Sequence, residues 1–401
     1  MKALKSNRLH IGIFGKTNVG KSSFLNKITG QKVSIVSDIA GTTTDVVEKS
    51  MELLPIGSVN FLDCAGINDN TALGEQRIES ALKILNRTDI AILVCDFNGF
   101  NDYDVSLIEK FKELNIPFIV VVNKSDIKEI SAEKINKIKE YNEYILITSV
   151  KNDNEIIFKF KSLLLKLLPD EFVNTPKIVG DIIPEGSTVV LVIPIDKEAP
   201  KGRIILPQVQ TLRDLLDSGC MTLAVRDSEL KSALENMKTP PSLVITDSQA
   251  FKKVDEIVPD NISLTSFSIL FARLKGDLNA FIQGAKAIDN LKDGDKVLIL
   301  ESCTHHAIED DIGKVKIPDL LRKKTGKNLI IEHFSGHDFP AVSGYKLIIH
   351  CGACMTNRRE VLSRILIANK AGVPITNYGM AISYCLGILN RAVKIFENLI
   401  K

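Results

Sequence analysis

Five residues near the end of the chain carry side chains that bind soft metals. Cys303 and His305 lie two positions apart, and His350, Cys351 and Cys354 follow after a long gap. Thiolates and imidazoles are ligands of zinc and of iron-sulfur clusters. The Cys351 to Cys354 spacing lets two thiolates bind one centre, and the small residues between them leave room for a bulky group. The pattern therefore predicts a metal or cluster site.

The types of these ligands leave two kinds of centre open. Zinc would take four ligands, for example the three thiolates and His350, in a closed structural site. A four-iron cluster would use the three cysteines and leave one corner for a weaker ligand, which suits a site that receives or hands over another group. The spacing favours the cluster. The motif does not define the fourth ligand, for which His350, His305, Glu301 or another carboxylate are candidates.

A phosphate-binding segment lies near the start of the chain. Residues 15–22, with the sequence Gly-Lys-Thr-Asn-Val-Gly-Lys-Ser, follow an apolar run and precede a helix predicted over Ser23–Ile28. This is the context that a phosphate-binding loop requires. Its backbone amides and the helix N-terminus attract phosphate. Lys21 would reach the β- and γ-phosphates, and the Ser22 hydroxyl would join the Mg²⁺ shell.

Two further segments indicate that the nucleotide is GTP. In Asn123–Asp126 the carboxylate of Asp126 can accept both guanine donors, which adenine lacks. The wrong base would leave that carboxylate unpaired, so this recognition discriminates strongly. Asp63 would hold Mg²⁺ through water, and the amide of Gly66 would sense the γ-phosphate.

The elements that position these residues follow a βαβ order. From Leu9 to about Leu168 short apolar runs alternate with amphipathic segments, which predicts a mostly parallel sheet. A Pro- and Gly-bearing stretch over Thr175–Gly186 indicates a linker. The prediction is an α/β protein with a P-loop GTPase domain over 1–170 and two further α/β domains, over 171–267 and 268–401.

The last predicted domain gives the cysteines a position. If the apolar runs Lys296–Leu300 and Tyr345–His350 are neighbouring parallel strands, both ligand groups lie past carboxyl ends, where open α/β sheets build their sites. Asn357, with Glu360 three residues on, is predicted to cap a helix that begins at Arg358.

The composition limits the partners and the compartment. The 401 residues carry 51 basic and 49 acidic side chains for a net charge of +2, and these are dispersed, so nucleic acid is not a favoured partner. No apolar run approaches a membrane span. The seven cysteines without a secretion signal predict reduced thiols and a cytoplasmic location. Cys95 and Cys385 lie in apolar surroundings and are predicted to be core residues.

The nucleotide motifs resemble those of translation-factor-class GTPases. Residues 41–45, Gly-Thr-Thr-Thr-Asp, are similar to the first switch of the branch that contains the tRNA-modification GTPase and Era. This resemblance implies that Thr43, with Thr42 as the next candidate, closes on Mg²⁺. It also implies a K⁺ ion held partly by Asn18, and G domains that pair face to face when bound to GTP.

The expected reaction is slow hydrolysis of GTP. Ile67 stands where Ras-like enzymes place the glutamine that orients water, and a hydrophobic residue cannot do so, which makes another source of charge stabilisation necessary. The predicted catalytic residues are Lys21, Thr43 and Gly66. The predicted nucleotide and ion contacts are Gly15, Asn18, Val19, Gly20, Lys21, Ser22, Ser23, Thr42, Thr43, Asp63, Gly66, Asn123, Lys124, Asp126, Ser149 and Val150, with Ser22, Thr43 and Asp63 at Mg²⁺ and Asn18 at K⁺.

The combination of these motifs resembles, over the whole chain, the HydF family of FeFe-hydrogenase maturation GTPases. The resemblance implies a GTPase domain, a dimerisation domain and a domain that binds a four-iron four-sulfur cluster through Cys303, Cys351 and Cys354, with His305 and His350 beside them. It further implies a homodimeric scaffold that carries a di-iron precursor to apo FeFe-hydrogenase and works with radical S-adenosylmethionine maturases. The alternatives are a GTPase with a structural zinc domain in RNA modification or ribosome assembly, and an iron-sulfur carrier with a vestigial nucleotide site.

Overall fold

The computed structural model describes residues 8–16, 18–30, 47–63, 83–97, 100–169, 172, 176–195, 204–302, 311–337, 339–354 and 356–399. The chain divides into two compact units, Met1–Thr175 and Pro176–Lys401. Both units alternate strands and helices, which confirms the predicted α/β class. Among the residues described, no helix combines the length and the apolarity needed to cross a bilayer.

The first unit is built on one six-stranded sheet in the order β2-β3-β1-β4-β5-β6. Its strands are β1 (Leu9–Phe14), β2 (Val47–Leu53), β3 (Gly57–Asp63), β4 (Ile90–Asp96), β5 (Phe118–Asn123) and β6 (Ile145–Ile147). Among the residues described, its complete helices are α1 (Lys21–Thr29), α2 (Asp102–Glu113), α3 (Ala132–Lys139) and α4 (Ile156–Lys166). All strand pairs are parallel except β2 with β3, which is antiparallel. The prediction of a mostly parallel sheet is thus confirmed.

The inner strands of this sheet are apolar on both faces. Every residue of β1 and β5 is buried, as expected for parallel strands covered by helices on both sides. Two separate core clusters follow, one around Phe24 and Phe160 and the other around Phe14 and Phe111. These two clusters hold the strands of the sheet in place, and the predicted nucleotide-binding loops start at the carboxyl ends of those strands. The sequence also predicts an amphipathic helix over Glu75–Leu85, of which only residues 83–85 are among the described residues.

The second unit contains two four-stranded sheets, in the orders β10-β9-β7-β8 and β12-β11-β13-β14, and all their pairs are parallel. The strands of the first are β7 (Thr188–Val192), β8 (Met221–Val225), β9 (Leu243–Thr246) and β10 (Ser263–Ser266). Those of the second are β11 (Lys296–Glu301), β12 (Ile330–Ser335), β13 (Leu347–His350) and β14 (Ile375–Asn377).

The helices of the second unit cover both sheets. They are α5 (Leu206–Asp217), α6 (Leu230–Asn236), α7 (Phe251–Ile257), α8 (Phe267–Lys275), α9 (Leu278–Lys286), α10 (Ile317–Thr325), α11 (Arg358–Lys370), α12 (Tyr378–Cys385) and α13 (Leu389–Val393). One hydrophobic core joins residues of both sheets, from Val189 of β7 to Ile348 of β13, and includes Phe267 and Leu270 of α8. The predicted domain boundary between residues 267 and 268 therefore falls at a helix that packs in this shared core.

Two strands of the second unit differ from the sequence-based prediction. The sequence also predicts a strand over the apolar run Asn328–Ile331, whereas the observed strand β12 begins two residues later and runs on to Ser335. The polar residues His333 and Ser335 conceal its second half from a prediction based on apolar runs. The short strand β14 has no counterpart among the predicted strands, since three residues are too few to show a periodicity.

Candidate functional site

The phosphate-binding loop connects β1 to α1 and depends on two glycines. Gly15 has φ +132°, and a Cβ there would lie 2.1 Å from the carbonyl oxygen of Val94. Gly20 has φ +97°, and a Cβ there would lie 2.3 Å from Asn123 Nδ2. Residues with a side chain rarely adopt such backbone angles, so both positions require glycine. The resulting cradle of backbone fits a phosphate chain.

Lys21 is the first residue of α1, and its side chain folds back over this loop. Its ammonium donates to the carbonyl oxygens of Gly15, at 2.8 Å, and Lys16, at 2.7 Å. The next two residues, Ser22 and Ser23, lie exposed on the first turn of the helix. A lysine and a hydroxyl at this position can bind phosphate and Mg²⁺ as the sequence predicts.

Asn123 joins the phosphate side of the site to the base side. Its Nδ2 donates to the carbonyl of Val19 at 2.9 Å, and its Oδ1 accepts from the backbone N–H of Val150 at 3.3 Å. Lys124, at φ +64°, donates to the carbonyl of Asn18 and, at 3.3 Å, to Asp96.

These bonds connect Asn18 and Val19 of the phosphate-binding loop to Asn123, Lys124 and Val150 on the base side. Asp126 stays exposed, where a base can reach it, and Ser149 is buried in the neighbouring loop. Asp63 ends β3 and is only 5% exposed, next to β1 in the sheet. Thr42, Thr43 and Gly66 lie outside the described residues, so their roles stay predictions.

Of the predicted cluster residues, His350 and Cys351 lie at the carboxyl end of β13, and β13 is the parallel neighbour of β11 as expected. The backbone N–H of Cys351 donates to the carbonyl of Leu300 at 2.8 Å, and the N–H of Ser302 donates to Cys351 Sγ at 3.3 Å. The segment that leads into Cys303 therefore passes directly beside the Cys351 thiol. Within the described ranges no three His, Cys, Asp or Glu side chains are grouped for a metal, and Cys303 and His305 lie outside those ranges.

His350 has both ring nitrogens engaged. Its Nε2 accepts from Arg364 Nη1 at 2.7 Å, and its Nδ1 lies 2.8 Å from the carbonyl oxygen of Cys351. Because a carbonyl can only accept, we assign the proton to Nδ1. Burial, and then the charge of Arg364, lower the pKa of His350 to about 3. In this arrangement the ring is neutral and orients the Cys351 backbone, and its role as a candidate ligand stays a prediction.

Arg364 of α11 is the centre of a buried polar network. Its side chain is 2% exposed, and it donates to Ser302 Oγ at 2.9 Å and to Glu360 Oε1 at 2.7 Å. It also donates to the carbonyl of Gly336 at 2.9 Å. The helix begins at Arg358 with Asn357 accepting from the N–H of Glu360, which confirms the predicted cap. This network fixes the segments before and after the cysteine residues.

Lys275, the last residue of α8, reaches the loop that carries the cysteines. It is 3% exposed, and its ammonium donates to the carbonyls of Ala353 at 2.8 Å, Cys354 at 3.2 Å and Thr356 at 2.9 Å. Burial lowers the pKa of Lys275 to about 8, and the nearby thiols of Cys354 and Cys351 oppose this shift.

Cys351 and Cys354 are both partly buried. Burial raises the pKa of the Cys351 thiol, while hydrogen bonds from Ser302 and Ala353 lower it. A thiolate there needs positive charge or a metal beside it. Two thiols at a sheet edge, flanked by Arg364 and Lys275, are a donor set that fits an iron-sulfur cluster with its net negative charge. By contrast, Cys95 is buried among apolar residues and has its pKa raised to about 12 by burial, which confirms its prediction as a core residue.

Sequence reasoning missed Arg364, Lys275 and Ser302 as parts of this site. A charged residue within an amphipathic helix usually lies on the solvated face, and neither Arg364 nor Lys275 stands in a motif. Ser302 carries the one available signal, since it directly precedes Cys303 in the predicted ligand segment.

Comparison with known families assigns a class to each part of the chain. Residues 10–124 match the family model described as 50S ribosome-binding GTPase, residues 178–276 match the hydrogen maturase F dimerization domain, and residues 279–395 match the hydrogen maturase F tetramerization domain. The fold and the first match define a chain with a P-loop GTPase domain. The other two matches together span more than half of the chain, which therefore belongs to the hydrogen maturase F family, as the sequence resemblance predicted.

Individual relatives match the first part of the chain. The tRNA modification GTPase MnmE of Mesoplasma florum is 34% identical over 183 residues, which is 45% of this chain and 39% of that protein. GTPase Der of Wolinella succinogenes is 35% identical over 170 residues, or 40% and 36% of the two chains. The chain thus spans less than two fifths of the length of these relatives. The solved structure of Era from Aquifex aeolicus covers 54% of this chain and 94% of its own, at 22% identity and a TM-score of 0.32.

Proposed function

We propose that this chain is a GTP-hydrolysing iron-sulfur scaffold that assembles or delivers the di-iron precursor of an FeFe-hydrogenase. The observation that carries the proposal is the Cys351 and Cys354 loop at the carboxyl edge of a parallel sheet, beside the segment that leads to Cys303. Buried cations flank the loop, and its thiols match the ligands of a four-iron cluster. The family supports this assignment.

In the first unit the residues would bind GTP with Mg²⁺ in the manner of P-loop proteins. The amides between Gly15 and Lys21 would cradle the phosphates, and Lys21 would turn from the carbonyls of the loop to the β- and γ-phosphates. The Ser22 hydroxyl and, through water, Asp63 would hold Mg²⁺. Asp126 would accept the guanine donors. These roles are supported by the loop geometry and by the matching GTPase family.

We propose that hydrolysis is slow and stimulated by K⁺, with Asn18 as one ligand of the ion. Asn18 sits at φ +62° in the loop, and its carbonyl anchors Lys124, so the residue has a fixed backbone from which its side chain can act. Exchanging K⁺ for Na⁺ at constant ionic strength is expected to slow GTP turnover. Equal rates in the two salts would remove Asn18 from the mechanism.

In the second unit the cysteines would bind a four-iron four-sulfur cluster through Cys303, Cys351 and Cys354. Such a cluster would supply one iron corner to an incoming group. The protein residues would fix the loop that carries the thiols. A homodimer is proposed because residues 178–276 match a dimerization domain. Apo FeFe-hydrogenase and the radical S-adenosylmethionine maturases are the proposed partners, and the cytoplasmic location stays a prediction.

Anaerobic reconstitution tests the proposal. The chain is purified without oxygen and loaded with iron and sulfide, and its absorption and its reduced-state electron paramagnetic resonance spectrum are recorded beside a zinc assay. We expect a reducible four-iron signal in the wild type and its loss in Cys303→Ala, with GTP binding retained in both. The matched control is Cys95→Ala, which removes a thiol from the core of the first unit and should leave the signal intact.

Two results would contradict the proposal. Stoichiometric zinc without a cluster would favour the alternative of a GTPase with a structural zinc domain. A full four-iron signal in Cys303→Ala would contradict the ligand assignment, because three cysteines are proposed to hold three irons.

A further inference from the structure

The ammonium of Lys275 is buried, which is unusual for a lysine. It lies at the end of α8, in the region that matches the dimerization domain, but its three hydrogen bonds all go to the loop after β13 in the region that matches the tetramerization domain. An ammonium has three N–H donors and no acceptor. Three carbonyl acceptors around one nitrogen therefore use its full donor set, which requires the charged form.

The loop that Lys275 holds has an unusual backbone. Ala353, between the two cysteines, has φ +53°, a left-handed conformation that is costly for a residue with a Cβ. Its carbonyl accepts from Lys275 and also from the hydroxyl of Thr356 at 3.2 Å. Arg358 ties the same helix end to the loop by donating to the carbonyl of Leu274. The end of α8 thus maintains the turn that directs the two thiols.

The positive charge of Lys275 has no carboxylate bonded to it within the described ranges. There its ammonium bonds to backbone carbonyls, and the carboxylate of Glu360, which acts on its charge from farther away, is already ion-paired with Arg364 at 2.7 Å. Burying a cation without a counter-charge is unfavourable. Thiolates and the negative charge of a bound cluster would provide further counter-charge close to the ammonium.

We propose that Lys275 is a positioning residue for the iron-sulfur cluster, which both keeps the turn of Cys351, Ala353 and Cys354 in its ligating shape and stabilises the reduced cluster by its positive charge. This inference rests on the proposed function. It identifies a residue outside the cysteine motif as a determinant of the cluster's reduction potential, in line with the general influence of nearby charges and hydrogen bonds on metal centres.

The test is the midpoint potential of the reconstituted full chain, measured by redox titration followed by electron paramagnetic resonance. Lys275→Met keeps the length of the side chain and removes its charge, so the reduced cluster should lose stability. We expect the midpoint potential to become more negative by at least about 59 mV, which for a one-electron couple is a tenfold shift toward the oxidised form. Lys275→Arg keeps the charge, so its midpoint potential should stay close to that of the wild type.

Lys286→Met is the matched control, because Lys286 is an exposed lysine at the end of α9 in the same unit. Its potential should equal that of the wild type. A Lys275→Met variant that folds and turns over GTP normally but loads no cluster, while Lys275→Arg loads it, would also support the inference.

The inference is overturned if Lys275→Met binds a full cluster at the wild-type potential. If the Met variant does not fold, Lys275→Gln takes its place, and an unchanged potential there overturns the inference equally. Absence of any four-iron signal in the wild type is a different result, since it contradicts the proposed function itself.

Discussion

The two candidate sites of this chain are stabilised in opposite ways. The nucleotide site is shaped by backbone conformation, with glycines at positive φ and with side chains that bond to carbonyls of the loop. The cysteine site is shaped by buried charged side chains, above all Arg364 and Lys275. A nucleotide brings its own charge and its own Mg²⁺, so backbone amides suffice to receive it. Thiolates and a negatively charged cluster in a partly buried site need counter-charges that the protein itself must supply.

The largest expected effect is the removal of the central buried charge. Arg364→Met deprives Glu360 and the neighbouring acceptors of this donor, and breaking a buried ion pair costs about 3–5 kcal/mol of unfolding free energy. We expect the loss in the second unit, measured by hydrogen exchange of the β11 and β13 amides. The exposed pair Arg213–Asp217 of α5 gives the control, and Arg213→Met should change little. If both variants lose the same unfolding free energy, the buried charge of Arg364 does not stabilise the cysteine site.

Removal of Lys21 should have the opposite effect, with little change in stability and a large loss of GTP turnover. Lys21→Ala takes away a partly exposed charge that bonds to carbonyls of its own loop, so the free energy of unfolding should change little. GTP turnover should fall about 100- to 1000-fold, the range seen when one electrostatic contact to a transition state is lost. Turnover is measured by phosphate release. Lys27→Ala, on the last turn of the same helix, should keep its activity, and equal loss in both variants would indicate misfolding.

His350 should make the second unit sensitive to acid. Its pKa is lowered to about 3 in the folded state, against about 6.5 for an unperturbed imidazole, so unfolding takes up a proton between these values. The stability that the neutral His350 ring contributes is therefore present above pH 6.5 and is lost as the pH falls. Between pH 6.5 and 5 the metal-free unit should lose about 2 kcal/mol from this group.

The measurement is the unfolding free energy of wild type and His350→Gln at both pH values. Glutamine can still accept from Arg364 but does not titrate, so the difference between the two proteins should shrink as the pH falls. A constant difference would show that the imidazole does not stay neutral on folding.

The smallest effect distinguishes two glycines of the first unit. Gly20→Ala places a Cβ against Asn123 and should cost about 1–3 kcal/mol, with a matching loss of GTP affinity. Gly30 has φ +65°, and a Cβ there would meet nothing within 4 Å among the described residues, so Gly30→Ala should cost only the backbone contribution of about 1 kcal/mol. Both are measured by denaturant unfolding and GTP titration. If the two variants weaken GTP binding equally, the close approach at Gly20 does not shape the site.

Much of the framework could be predicted from the sequence because its signals are local. The loop over 15–22 and the apolar strand runs predicted the parallel sheet of the first unit, and Asn357 predicted the start of α11. The strand β2 has no such signal, since its residues Glu48, Lys49 and Glu52 are charged and it lies at the edge of the sheet.

The polar surroundings of the cysteines could not be predicted. Arg364 follows Cys354 by ten residues and Lys275 precedes Cys351 by far more, so only the packing of α8 and α11 brings them together. Their burial depends on tertiary structure, and the sequence alone gives charged residues a solvated position by default. The predicted motif thus supplied the candidate ligands but not the groups that control them.

The shared core of the second unit limits how this protein could have been assembled from parts. Since Val189, Phe267 and Ile348 belong to one hydrophobic cluster, we do not expect the segments that match the two hydrogen maturase F domains to be interchangeable modules. A recombination event that joined the cysteine-bearing sheet to a foreign neighbour would expose the apolar face of α8 and remove Lys275 at the same time. The two sheets are therefore expected to be inherited as one evolutionary unit, whereas the nucleotide-binding unit, with its own core clusters, can be exchanged among otherwise unrelated proteins.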